Sequence, residues 1–140
     1  MNDEEKRQHL EFIQNIITRM NTNSFQIKGL CVTLVSAFLA IYASNSKILF
    51  VFFAIFPAII FWFLDSYYLQ QERKFRGVYN DVAGIKEINQ VKPYEMPINK
   101  YKGNGFSFFE VFFSKTILPF YLSIIIFLIL FGFIIIFKLI

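Results

Sequence analysis

Three apolar blocks constrain this chain more than any other feature: residues 27–44, 48–64 and 117–137 are built almost wholly from Ile, Leu, Phe, Val and small residues. A bilayer core about 30 Å thick takes roughly 17–25 helical residues to cross, and each block comes close to that length. Backbone polar groups have no water to bond to inside lipid, so each block has to satisfy its own as a helix. Composition agrees, since hydrophobic residues make up 56% of the chain and aromatic residues 20%, with a mean hydropathy of +0.49. Those values lie outside the soluble globular range. The expected fold class is an all-α membrane protein. It has an N-terminal amphipathic cytoplasmic helix, a transmembrane hairpin whose second helix extends into the cytoplasm, and a third, C-terminal transmembrane helix.

The spacing places an amphipathic helix over residues 1–26, with Leu10, Ile13, Ile17 and Met20 on one face and Glu4, Lys6, Glu11, Gln14 and Asn15 on the other. Packing on the protein's own cytoplasmic elements and lying on the membrane surface are the two fates open to it. The hairpin occupies residues 27–69, with spans over about 27–44 and 48–68 joined by Asn45, Ser46 and Lys47. Pro57 inside the second span predicts a kink over residues 53–57. In the first span, small residues recur every four positions, Gly29, Thr33 and Ala37 on one line and Ser36, Ala40 and Ser44 on another. Such rows let helices approach closely in lipid, which predicts a place in the middle of the bundle or at a subunit face.

The second span does not stop at the bilayer. Residues 61–79, FWFLDSYYLQQERKFRGVY, begin apolar and end charged, as one helix leaving a membrane would. Trp62, Tyr67 and Tyr68 are placed for an aromatic belt at headgroup level. The extension over 70–84 carries an apolar stripe of Tyr68, Phe75, Tyr79 and Val82, with Glu72 four residues before Arg76 for an ion pair and Gly84 as the stop. The two cytoplasmic stripes, Leu10, Ile13, Ile17 and Met20 against Phe75, Tyr79 and Val82, are expected to pack together. Two helices make a thin core, and a homo-oligomer would complete it.

Residues 85–105 lose periodicity and read as a cytoplasmic loop, either mobile or a binding element. A Phe-rich interfacial segment follows over 106–115, and the third transmembrane helix over 116–138 has few small residues and is expected at the periphery. Twelve of the fourteen Lys and Arg residues fall in the N-terminal arm or between the second and third spans, leaving Lys47 and Lys138 on the other side. That asymmetry puts the N-terminus in the cytoplasm and the C-terminus outside. The mixed-charge opening MNDEEKRQ does not read as a cleavable signal peptide.

Chemistry-bearing residues are few. Asp65 is the most informative, because an ionisable group near a span is costly unless paired, and its natural partner is Lys28 at the start of the first span. The pair either fixes helix register or marks an ion pathway. Arg73, Lys74 and Arg76 are candidates to meet an anionic ligand or lipid headgroups, although positive-inside placement also accounts for them. A nucleophile elbow, a Walker loop, HExxH, a dinucleotide fingerprint and paired carboxylates are all missing. One cysteine, Cys31, and one histidine, His9, provide no disulfide and no metal ligand set. No catalytic residue, cofactor, metal or nucleic-acid partner is expected.

Two stretches, residues 9–33 (HLEFIQNIITRMNTNSFQIKGLCVT) and residues 61–79 quoted above, resemble a group of small bacterial membrane proteins with an N-terminal helix, a transmembrane hairpin and a helical cytoplasmic extension. That layout is similar to the SLATT-type effectors of nucleotide-signalling anti-phage systems. Leu30 stands where the group's pattern would have an aromatic residue, and the third span and Phe-rich segment lie outside the SLATT layout. The resemblance implies an oligomeric effector of the bacterial inner membrane, pore-forming or membrane-disrupting, triggered by a nucleotide signal or a soluble protein at the cytoplasmic face. Membrane lipids and further copies of the chain are the other partners it implies. A non-conducting scaffold or accessory subunit docking a soluble partner, and a holin-like phage protein, are the alternatives.

Overall fold

The computed structural model describes residues 1–139, which are helical throughout their ordered elements and include no strand. In chain order the elements are α1 (Asp3–Asn45), α2 (Leu49–Phe53), α3 (Ile55–Ala83), a 3-10 turn at Ile98–Lys100, α4 (Phe108–Phe112) and α5 (Leu118–Leu139). Three stretches are long and apolar enough to cross a membrane: Asp3–Asn45, Leu49–Ala83 and Leu118–Lys138.

The amphipathic helix and the first span, expected as separate elements meeting near residue 26, are one helix of 43 residues. Its start is fixed by a reciprocal cap, in which the Glu5 N–H donates to Asn2 Oδ1 at 2.8 Å and the Asn2 N–H to Glu5 Oε2 at 3.2 Å. No Pro or Gly interrupts residues 18–27, and the Thr18 and Thr22 hydroxyls donate to carbonyls four residues back at 2.9 and 3.0 Å. Polar residues thus pass through the middle of α1 without breaking it.

Pro57 acts a few residues upstream of itself. Having no N–H, it cannot close the turn with Phe53, and the helix is interrupted at Ala54 between α2 and α3. At its other end α3 stops at Ala83, where Gly84 takes φ +77. The Ile85 N–H then donates to the Asn80 carbonyl at 2.9 Å, the six-residue closure of a left-handed helix cap.

The chain divides into two compact units, the first formed by Met1–Ser24 with Ser66–Val111, the second by Phe25–Asp65 with the chain from Phe112 onward. The core of the first unit is Ile13, Ile17, Val78, Val82 and Tyr101, with Leu10, Phe75, Tyr79, Val91, Met96, Ile98 and Phe106 packed around it. Each fully buried aliphatic side chain there stabilises by about 1.5–3 kcal/mol. The expectation of a thin two-helix core is corrected at this point: the loop over 85–105 folds back and supplies the missing layer, with Tyr101 only 1% exposed. That loop is tied to the first unit, where His9 Nε2 donates to the Glu95 carbonyl at 2.9 Å, Tyr94 bonds Gln8, and Gln70 bonds the Phe106 carbonyl. Gly77 makes room for it, since a Cβ there would lie 2.6 Å from the Tyr101 ring.

In the second unit α1 is buried along Ile27, Cys31 and Val35, and α5 along Tyr121, Leu128 and Gly132. Gly132 admits the Phe52 ring, which a Cβ would meet at 2.9 Å. The third span is therefore packed on one face rather than wholly peripheral. Trp62 is also corrected: it is buried, stacked on Phe112 at 4.2 Å, and its indole N–H donates to the Phe112 carbonyl at 3.0 Å. Its membership of an exposed aromatic belt does not hold, whereas Tyr67 stays half exposed.

Candidate functional site

Lys28 and Asp65 are brought together. Lys28 sits on α1 and Asp65 on α3, with Nζ 2.5 Å from Oδ2. Asp65 has no exposed surface, and the Tyr121 hydroxyl on α5 donates to the same oxygen at 2.8 Å. The Phe120 ring lies 6.0 Å from the Lys28 ammonium. One carboxylate therefore ties three helices together. Burying a charge is tolerable only when its partners are close and hydrogen-bonded, as here. Sequence reasoning missed Tyr121, although a hydroxyl inside a run of Ile, Leu and Phe has to find a partner and could have been flagged on that ground.

The small-residue rows do not pack inside the chain. Gly29, Thr33 and Ala37, and likewise Ser36, Ala40 and Ser44, are all exposed, while the buried face of α1 is the Ile27, Cys31 and Val35 line. The Thr33 hydroxyl bonds the Gly29 carbonyl at 2.9 Å, which hides its polarity within the helix. The expectation that these rows sit in the middle of this chain's own bundle is corrected, and a subunit face or lipid remains for them.

Of the packing residues named for the first unit, Ile13, Ile17 and Val82 are buried, and Leu10, Phe75 and Tyr79 pack around them. Met20 is half-buried outside that cluster, and Val78 takes a core place that the stripe overlooked.

The basic cluster separates by helical face. Arg73 and Arg76 line a cavity of about 330 Å³ together with Gly77, Asn80, Lys86, Ile88, Asn104, Gly105 and Phe106. Lys74 is not among the lining residues. Positions 73, 76, 77 and 80 follow the i, i+3, i+4, i+7 spacing of one helix face, and 74 falls off it. Arg76 is paired with the buried Glu72, and the Arg73 guanidinium reaches the Gly105 carbonyl at 3.5 Å. Lys86 makes no ion pair among the described residues. Sequence reading missed Lys86 and Asn104 because their approach depends on the fold-back of the loop. Gly103 and Gly105 take φ +77 and +84, backbone that side-chain-bearing residues rarely adopt, and so bend the chain toward α3.

A second, larger recess of about 740 Å³ is lined by Asp81, Glu87, Ile88, Asn89, Gln90, Val91, Lys92, Glu95 and Lys100. Asp81 organises its wall, accepting from the Ile88 and Asn89 N–H groups at 2.9 and 3.1 Å and from the Tyr101 hydroxyl. Burial, reinforced by the Asp81 carboxylate beside it, pushes the Tyr101 phenol well above the usual tyrosine range. The Lys92 N–H holds the Glu95 carboxyl below the usual carboxylate range. Among the described residues no group of three or more His, Cys, Asp or Glu is placed to hold a metal ion. Comparison with protein-family models, curated proteins and solved structures finds no match to this chain.

Proposed function

We propose that the chain is one subunit of an oligomeric effector of the bacterial inner membrane, acting in anti-phage defence by opening or disrupting that membrane after a trigger arrives from the cytoplasm. The observation that carries this proposal is the outward placement of Gly29, Thr33, Ala37, Ser36, Ala40 and Ser44 on an apolar spanning helix. Lipid tails give no hydrophobic drive between helices, so helices associate in membranes through close backbone approach at small residues. A face rich in such residues and unused within the chain is suited to another copy of the same helix. The charge asymmetry supports a cytoplasmic N-terminus and a cytoplasmic loop over 85–105, and the similarity to SLATT-type effectors supports the defensive role.

Membrane potential in bacteria expressing the chain, followed through phage infection, tests the proposal. The expected result is depolarisation and growth arrest that an Ala40→Leu variant, with its small-residue row blocked, fails to produce. Polarised cells throughout infection with the wild-type chain would remove the effector role. One observation favours a second reading: the open polar recess around Asp81 gives a soluble protein a surface to dock on, as a non-conducting scaffold would need. Native-membrane crosslinking that captures a soluble partner, with no depolarisation, would select it.

A further inference from the structure

We infer that the cavity between α3 and the returning loop, lined by Arg73, Arg76, Lys86 and Asn104, is a binding site for a phosphate monoester. As the entry point of the trigger it rests on the effector proposal above, whereas its chemistry stands on the cavity itself.

Charge is the first argument. Three cations line the cavity and no carboxylate does. Glu72 offsets one of them through Arg76. Glu110 lies nearby, but it is exposed, takes the Gly105 N–H at 2.5 Å and is not part of the lining. Asp81 is committed to the loop N–H groups and to Tyr101. About two positive charges are thus left facing the cavity, and a phosphate monoester carries about −1.5 to −2 at neutral pH.

Geometry is the second. Arg73 and Arg76 are one helical turn apart on the same face; Arg76 commits its Nε and Nη2 edge to Glu72, which leaves its Nη1 end and the Arg73 guanidinium to donate charge-assisted bonds to one phosphate. Asn80 and Asn104 add amide groups for the ester oxygens. The Phe106 ring, held edge-on to Tyr101 at 5.6 Å, provides an apolar wall for the organic part. A volume of about 330 Å³ lies at the small end of ligand pockets and fits one small organophosphate or one lipid headgroup. Positive-inside placement accounts for basic residues on this side of the membrane, but it does not account for their convergence, with two amides and a ring, on a single concavity.

Both sources present the same chemistry, and the test separates them. The full chain is reconstituted in phosphatidylcholine nanodiscs, and the reactivity of each lysine toward an acetylating reagent is read by mass spectrometry. One arm adds phenyl phosphate, a second replaces part of the lipid with phosphatidate, and a control adds sodium chloride at matched ionic strength. Protection of Lys86 over Lys92 and Lys102 in the first arm assigns a soluble ligand, and in the second a headgroup. Arg73→Gln, a change at a partly exposed side chain, is expected to weaken that protection roughly tenfold, and Lys74→Gln to leave it unchanged. No selective protection of Lys86 in either arm, or protection that survives Arg73→Gln, would overturn the site. Depolarisation without Lys86 protection counts against the site alone, and Lys86 protection in a chain that never depolarises membranes counts against the effector role alone.

Discussion

Asp65 joins three helices of the second unit through Lys28 and Tyr121. Changing Asp65 to Ala removes a partner from the buried Tyr121 hydroxyl and from the Lys28 ammonium, whose side chain is 23% exposed, so the loss is expected to fall below the roughly 3–5 kcal/mol of a fully buried pair. The double variant Lys28→Met, Asp65→Leu is expected to regain most of that loss, because a well-packed apolar pair avoids desolvation altogether. Unfolding of both proteins in detergent, with denaturant titration, measures the difference. Tyr101 sets a pH limit on the first unit. Its phenol titrates higher folded than unfolded, so the folded state holds the proton longer. Its stabilisation is complete below the unfolded value of about 10 and is lost as pH rises from there toward the folded value. Circular dichroism during alkaline titration should show unfolding beginning above about pH 10, with a flatter profile in Tyr101→Phe. Lys28 and Asp65 were legible in the sequence because a charge beside a span demands a partner. Tyr101 was not, since its partner is reached only through the fold-back of a loop without periodicity, and Tyr121 was passed over although a hydroxyl within an apolar run demands a partner.

At the scale of elements, the helices were visible through apolar spacing, and residues 45–47, Pro57 and Gly84 marked three of their joints, but the joint expected near residue 26 is absent. The division expected near residue 26 lies in the interior of α1, because the polar residues before it include no Pro or Gly and do not break the helix. The kink expected from Pro57 is present as an interruption at Ala54, a few residues earlier, because the missing N–H removes a bond to the preceding turn. Gly77, a residue of low helix propensity inside α3, is where Tyr101 approaches. Alanine there gains about 1 kcal/mol of helix propensity but overlaps a buried ring anchored to Asp81, and overpacking costs about 1–3 kcal/mol. Gly77→Ala is therefore expected to lower the melting temperature of the solubilised protein, whereas Gly29→Ala, with nothing within 4 Å of its Cβ, should raise it or leave it unchanged. Equal effects at the two glycines would contradict this packing. The half of the basic cavity contributed by α3 could be read from the i, i+3, i+4 spacing, and the half contributed by Lys86 and Asn104 required the loop to be seen folded.

For the whole molecule, the case for self-association has moved from the first unit to the second. A thin cytoplasmic core was the first reason to expect an oligomer, and the loop over 85–105 removes it by filling that core within one copy. The reason that stands is the exposed small-residue face of α1, because this chain buries a different line of the same helix. A trigger bound among Arg73, Arg76 and Lys86 would then act on α3, the helix that also carries Asp65. Disulfide crosslinking in native membranes tests the self-association most directly, using single cysteines placed on α1 in a Cys31→Ala background. Cysteine at Ala37 or Ala40 should yield a covalent dimer on oxidation, and cysteine at Ile126, on the exposed face of α5, should not. Dimer formation at Ile126 with none at Ala37 or Ala40 would place the subunit contact elsewhere and contradict the account.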